Sequence, residues 1–226
     1  MNDTTEPSTT TDAFAGASSA SSSGDPRALL QRAAREALTA MEGVAPDQLH
    51  RPTPCTDMDV NRLLGHMLMA LQRSAAAGRD EDPSTWPGEV TGLALAEWAP
   101  AWQQAMADAE AAWADRARLD APVALPWGTF AGRQVVATYT AEITVHTWDL
   151  ARATGQEPTW DDDVVSASLA SIQQMMPAEG RRQILDAARD AAPPDYAWED
   201  PFQAAVDVGD DAAPIDRLVA WTGRTP

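Results

Sequence analysis

The sequence predicts a mainly all-α fold: a four-helix bundle with a short hairpin-like excursion before its fourth helix and a small C-terminal extension. Three observations predict it. Apolar residues recur at every third or fourth position in four long stretches of the first 155 residues. Those stretches are punctuated by capping residues and by a closing glycine. The one segment there with strand character is cut by Pro126, Gly128 and Gly132.

Taken in order, residues 1–24 are Ser, Thr, Ala and Gly with scattered acids, and Phe14 stands out as a large apolar side chain. Such a tract cannot bury enough surface to offset its ordering entropy, so it reads as a disordered tail. Asp25 and Pro26 then supply an N-cap and a first-turn proline. Leu29, Leu30, Ala33, Ala34, Ala37, Leu38 and Met41 form the stripe of helix one, which runs up to Gly43. After a loop punctuated by Pro46, Pro52 and Pro54, Thr56 is the expected cap of helix two, with Asp59 in its first turn and Val60, Leu63, Leu64, Met67 and Leu71 as its stripe. Helix three is expected from about Leu93 to Arg118, carrying Trp98, Trp102, Met106 and Trp113. The hairpin-like excursion falls at Ala121–Gly132, and helix four at about Arg133–Thr154 with Gly155 as its left-handed cap. Beyond it, Asp161–Met176 looks helical, 177–213 is broken by prolines and acids, and Ile215–Thr222 suits a short closing helix. The organisation is therefore a tail over 1–24, a bundle over 25–155, and an extension over 156–226 packed on the bundle.

Composition narrows the function classes. Acids outnumber bases by 34 to 16, a net charge of -18, so a nucleic-acid backbone would be repelled over most of the surface. No apolar run approaches the roughly 18 residues of a membrane span. With no basic region followed by an apolar stretch at the N-terminus, no secretory signal is expected, and a cytoplasmic address follows. Every base is Arg, a bias that a GC-rich genome would produce. The single cysteine, Cys55, excludes an intrachain disulfide and a cysteine-based zinc knuckle, so a metal would have to be held by His and carboxylate.

On a helical wheel of about 100° per residue, His146 lies about 40° from Glu142, and both fall beside the apolar stripe of Val135, Tyr139, Ile143, Leu150 and Ala153. An ionised carboxylate there would cost several kcal/mol, on the order expected for a buried charge, unless it is paired or coordinated. A cation is the economical partner. His66, near the stripe of helix two, is the other histidine on a helix of the bundle. Two histidines and a glutamate suit catalytic zinc with a position left for water or substrate, and they also suit Fe(II). A simple Glu–His hydrogen-bonded pair with a structural His66 is the competing reading, because three ligands scattered over two segments match no dedicated metal motif. A dinuclear site would need a second Glu/His pair, which is absent from the sequence.

The run from Thr53 to His66, TPCTDMDVNRLLGH, resembles the second-helix signature of the DinB-like superfamily branch that contains mycothiol-dependent maleylpyruvate isomerase. The run from Glu142 to Gly155, EITVHTWDLARATG, resembles its fourth-helix signature. DRLVAWTGR, from Asp216 to Arg224, resembles the closing segment of an uncharacterised metal-binding subfamily. The resemblance implies a DinB-like bundle holding zinc through His66, Glu142 and His146. Two departures stand out: Met58, where the family usually has Trp, and a C-terminal part shorter than the isomerase's separate C-terminal domain, which supplies part of that enzyme's active site.

Other residues have secondary expectations. Cys55 precedes His66 by 11 residues, about 16 Å along a helix, too far to share the metal if helix two starts at Thr56. Asp149 is a candidate to hydrogen-bond a ligand histidine, against a surface pair with Arg152. Tyr139 and Arg224 are candidates for substrate binding, Arg224 for an anionic group. His50 falls in a loop, and Trp127 and Trp148 are either pocket or core. By resemblance, the leading function is a metal-dependent enzyme acting with mycothiol, a low-molecular-weight thiol, on a small-molecule substrate by S-transfer or isomerisation. A metal-assisted hydrolase and a non-catalytic metal-binding or stress-response protein are the alternatives. The substrate and the oligomeric state are not legible.

Overall fold

The structure is a computed structural model that describes residues 24–86, 88–192, 202–209 and 211–226. The predicted tail lies outside these residues except for Gly24. The fold is mainly α: seven helices and one two-stranded sheet among the described residues. Helix α1 (Pro26–Glu42) starts at Asp25, whose side chain accepts from the Arg27 amide, as the Asp-Pro pair predicts. α2 spans Val60–Gly78, α3 Leu95–Ala112 and α4 Gly132–Thr154. α1 packs on α4 and α3, and α2 packs on α4 and α3, so the four helices close a ring around one core.

Each contact has a residue-level cause. α3 buries Trp98, Trp102, Ala105 and Ala109, a stripe at spacings of four, three and four. Its indoles are also anchors: Trp102 Nε1 donates to Ala34 O of α1 at 2.8 Å, while Trp113, the residue that caps α3, donates to Ser74 O of α2 at 3.0 Å. The helix is shorter than predicted, because Trp113 ends it and a separate 3-10 turn forms at Arg116–Leu119. The excursion is an antiparallel hairpin of β1 (Pro122–Leu125) and β2 (Gly128–Ala131), closed by Pro126 and Trp127, with Val123 opposite Phe130.

The start of α2 differs from expectation. Thr56 does not cap it; Asp59 does, accepting from the Arg62 amide at 2.9 Å. Residues 53–58 instead form a tight turn, closed by Thr53 N to Met58 O at 3.1 Å and Met58 N to Cys55 O at 3.2 Å, with Asp57 in the left-handed region at φ 72°. Thr56 and Asp59 are both competent caps by residue type, with Asp the stronger, and the turn leaves Asp59 at the helix start.

α4 is the central helix and is buried along most of its length. One face (Val135, Val136, Tyr139, Ile143, Leu150) belongs to the bundle core. Another (Ala141, Val145, Trp148) joins Val165, Ile172, Ile215, Leu218 and Val219 in a second cluster. The helix tolerates this despite five threonines because Thr138, Thr140, Thr144, Thr147 and Thr154 each return their hydroxyl to the carbonyl four residues earlier. The second cluster is built with α5 (Asp162–Met175) and α7 (Pro214–Trp221), close to the predicted spans. Between them the broken segment contains a helix the prolines did not suggest, α6 (Arg181–Ala191), begun by Gly180 at φ 73°. Arg181 is buried and donates to Gln203 O at 2.6 Å and Trp221 O at 2.8 Å, which fastens the 202–209 segment to the end of α7. No helix of the described residues is long and apolar enough to cross a membrane.

Candidate metal centre

Glu142, His146 and Asp149 lie at spacings of four and three on α4, a single stripe between its two apolar faces. His66 comes from α2, which packs directly on α4. Its placement depends on Gly65, where a Cβ would come within 2.0 Å of Val90 O, so only glycine lets the 88–92 segment cross the helix there. The sequence-predicted trio is brought together. One donor atom from each of His66, Glu142 and His146 lies within 4.8 Å of the others, and His66 Nε2 is 3.2 Å from Glu142 Oε1. Four-coordinate zinc with ligand bonds of about 2.1 Å needs donors about 3.4 Å apart, close to the 3.2 Å between His66 and Glu142. The His66 and His146 rings meet edge to face, with centroids 4.7 Å apart.

The trio is not sealed. The His66 and Glu142 side chains remain 22% and 30% exposed, whereas His146 is 11% exposed. Electrostatics suit a cation. Burial pushes the Glu142 carboxyl up, but the His66 hydrogen bond and the charges of His66, His146 and Arg73 outweigh it and leave its pKa below the ordinary value. Burial pushes His146 down more than Asp149 pulls it up, which favours the neutral imidazole that a metal requires.

Behind His146 lies a second layer. Its Nδ1 is 3.0 Å from Asp149 Oδ2, which leaves Nε2 for a metal. Asp149 is fully buried, and Arg224 grips both its oxygens, Nε to Oδ1 at 3.2 Å and Nη2 to Oδ2 at 2.9 Å. Burial alone would raise the Asp149 carboxyl; His146 and Arg224 together hold it below the ordinary value. Asp149 therefore does not form the surface pair with Arg152, whose guanidinium lies 5.6 Å over Trp148. Arg224, a candidate for anion binding from sequence, spends its fork on Asp149 and is 9% exposed. Tyr139, the other substrate candidate, is buried in the bundle core.

Cys55 lies closer to the site than its sequence position implies. Because residues 53–58 turn rather than continue a helix, its sulfur, an Asp149 oxygen and a His146 ring nitrogen lie within 4.8 Å of one another. It is thus a neighbour of the site, though not one of the trio. His50 is exposed and pairs with Asp59. Arg73 was missed by sequence reasoning, and a signal for it existed: it follows His66 by two helical turns on α2 and so shares its face.

Two proteins of Mycobacterium tuberculosis, one from each of two strains and both named only as uncharacterized, are 28% identical over 208 residues, covering 89% of this chain and 98% of their own. No solved structure matches the chain. The family described as mycothiol maleylpyruvate isomerase N-terminal domain matches residues 30–151, from α1 to the last turn of α4 and including His66, Glu142 and His146. That match covers more than half of the chain, and the protein belongs to this family.

Proposed function

We propose that the protein is a divalent-metal-dependent enzyme, with zinc as the preferred ion and Fe(II) as its main competitor, that acts with a low-molecular-weight thiol of the mycothiol type in S-transfer or thiol-assisted isomerisation. The observation that carries this reading is the convergence of two histidines and one carboxylate on a partly exposed face. When bound, the ion supplies Lewis acidity that lowers the pKa of a thiol or water and so yields a nucleophile at neutral pH. The protein's own groups do the rest. His66 and neutral His146 present ring nitrogens, Glu142 contributes one negative charge, and the net positive charge remaining invites an anionic ligand. The Arg73 guanidinium adds positive potential beside Glu142. Val135, Tyr139 and Ile143, buried on α4 near the trio, limit water around it and strengthen each charge interaction. A cytoplasmic setting accords with a reduced thiol as cosubstrate. No observation favours the hydrolase alternative: Asp149, a further carboxylate beside His146, is already held by Arg224 and His146.

The test is a titration of cobalt-substituted protein with mycothiol. A sulfur-to-cobalt charge-transfer band in the near ultraviolet is expected, with proton release and tighter binding at higher pH. Absence of that band at saturating thiol, with cobalt still bound, contradicts the thiol-dependent reading.

A further inference from the structure

Arg224 stands 75 residues after Asp149, yet the two form a two-point fork inside the protein. The turn that delivers it is specific. Gly223 adopts φ 93°, and a Cβ there would come within 2.6 Å of the Gln203 Cβ, so the chain reverses at the end of α7 only with glycine at this position. The Arg224 amide then closes back on Val219 O at 3.0 Å. α7 itself is held by the second core cluster and by Arg181. The guanidinium therefore hangs from a mount held by α7 and reaches Asp149 of α4.

We propose that Arg224 is a positioning residue for the metal centre: by fixing the Asp149 carboxylate it sets the tautomer and ring angle of His146, which makes the C-terminal segment a working part of the site. The inference rests on the metal reading above. A carboxylate held at only one oxygen can rotate, and the imidazole bonded to it then swings with it. Two parallel N–H donors remove that freedom, and a planar guanidinium supplies them where an ammonium cannot. A metal-ligating histidine commonly needs such a partner on its other nitrogen, and losing it typically weakens metal binding about 10- to 100-fold.

The experiment compares wild type with Arg224→Gln, Arg224→Lys, Asp149→Asn and the Asp149→Asn/Arg224→Gln double variant, with Arg152→Gln as a neighbouring control. Zinc affinity is read by chelator competition, the ligand field by the visible spectrum of the cobalt form, and the His146 tautomer by imidazole nitrogen NMR of the zinc form. Far-ultraviolet circular dichroism checks folding. Arg224→Gln and Asp149→Asn are expected to lose about 10- to 100-fold in zinc affinity and to shift the cobalt bands. Arg224→Lys should recover part of the loss. The double variant should lose no more than Asp149→Asn alone, since both changes cut one chain of contacts, and Arg152→Gln should resemble wild type. If Arg224→Gln does not fold, Arg224→Lys and the near-isosteric Asp149→Asn carry the same expectation. Wild-type affinity, spectrum and tautomer in the folded Arg224 variants overturn the proposal while leaving the metal reading intact. Failure of the wild-type protein to take up any ion overturns both.

Discussion

Glu36 and Asp149 are both carboxylates drawn into the protein, and they fare oppositely. Asp149 has the Arg224 fork and His146 around it, and its pKa falls despite complete burial. Glu36 accepts a 2.8 Å bond from the Asp161 amide on one oxygen, but its Oε2 is buried with no hydrogen-bond partner among the described residues. Burial there outweighs the amide bond and the nearby Arg32, and its pKa rises. A raised carboxyl pKa in the folded state favours folding only while the group is protonated, and that advantage is lost as pH climbs through the folded value. Glu36→Gln keeps an acceptor for the amide and removes the charge. The variant should melt above wild type at neutral pH, with the difference closing below about pH 4, where Glu is protonated in both states. Thermal melts across that range check it; a difference that does not change with pH would show that the buried charge is not the cause.

At the scale of elements, legibility followed punctuation. α1 and α4 were readable to within a residue or so because Asp25-Pro26 and Gly155 mark their ends by chemistry that acts locally. α2 was misread at its start because Thr56 and Asp59 are both competent caps, and the turn that selects Asp59 depends on Asp57 adopting a left-handed conformation. α6 was hidden because the prolines and acids around it dominate the local pattern, whereas its anchor, Arg181, bonds carbonyls 22 and 40 residues away. Gly65 shows how an element can be shaped for its neighbour. A helix-interior glycine ordinarily costs about 1 kcal/mol relative to alanine. Here Gly65→Ala should do harm instead, because the added methyl meets Val90 O. Overpacking of this kind costs about 1–3 kcal/mol. The variant should melt lower and, since His66 is the next residue, bind metal more weakly; a melting point at or above wild type would mean that the 88–92 segment yields freely.

For the whole molecule, the trio was legible in part: the apolar faces of two helices set the direction of its members, and the family resemblance, rather than spacing, singled out the three together, because the height at which α2 packs on α4 is not written in either helix. Of what surrounds the trio, the Asp149 bond to His146 was legible and the rest was not. The Asp149–Arg224 fork and the approach of Cys55 depend on how α7 and the 53–58 turn return to α4, and no local pattern encodes those distances. The proposed site thus draws its three donors from the bundle, while Arg224 of the C-terminal segment bonds Asp149 behind one of them. We propose that His66, Glu142 and His146 hold a single divalent ion. Metal content after reconstitution and desalting, for wild type and for His66→Ala, Glu142→Gln and His146→Ala, tests it most directly. About one equivalent is expected in wild type, as for a mononuclear three-ligand site, with a large loss in each folded variant. Equal occupancy in wild type and all three variants, or no retained metal in wild type, would contradict it.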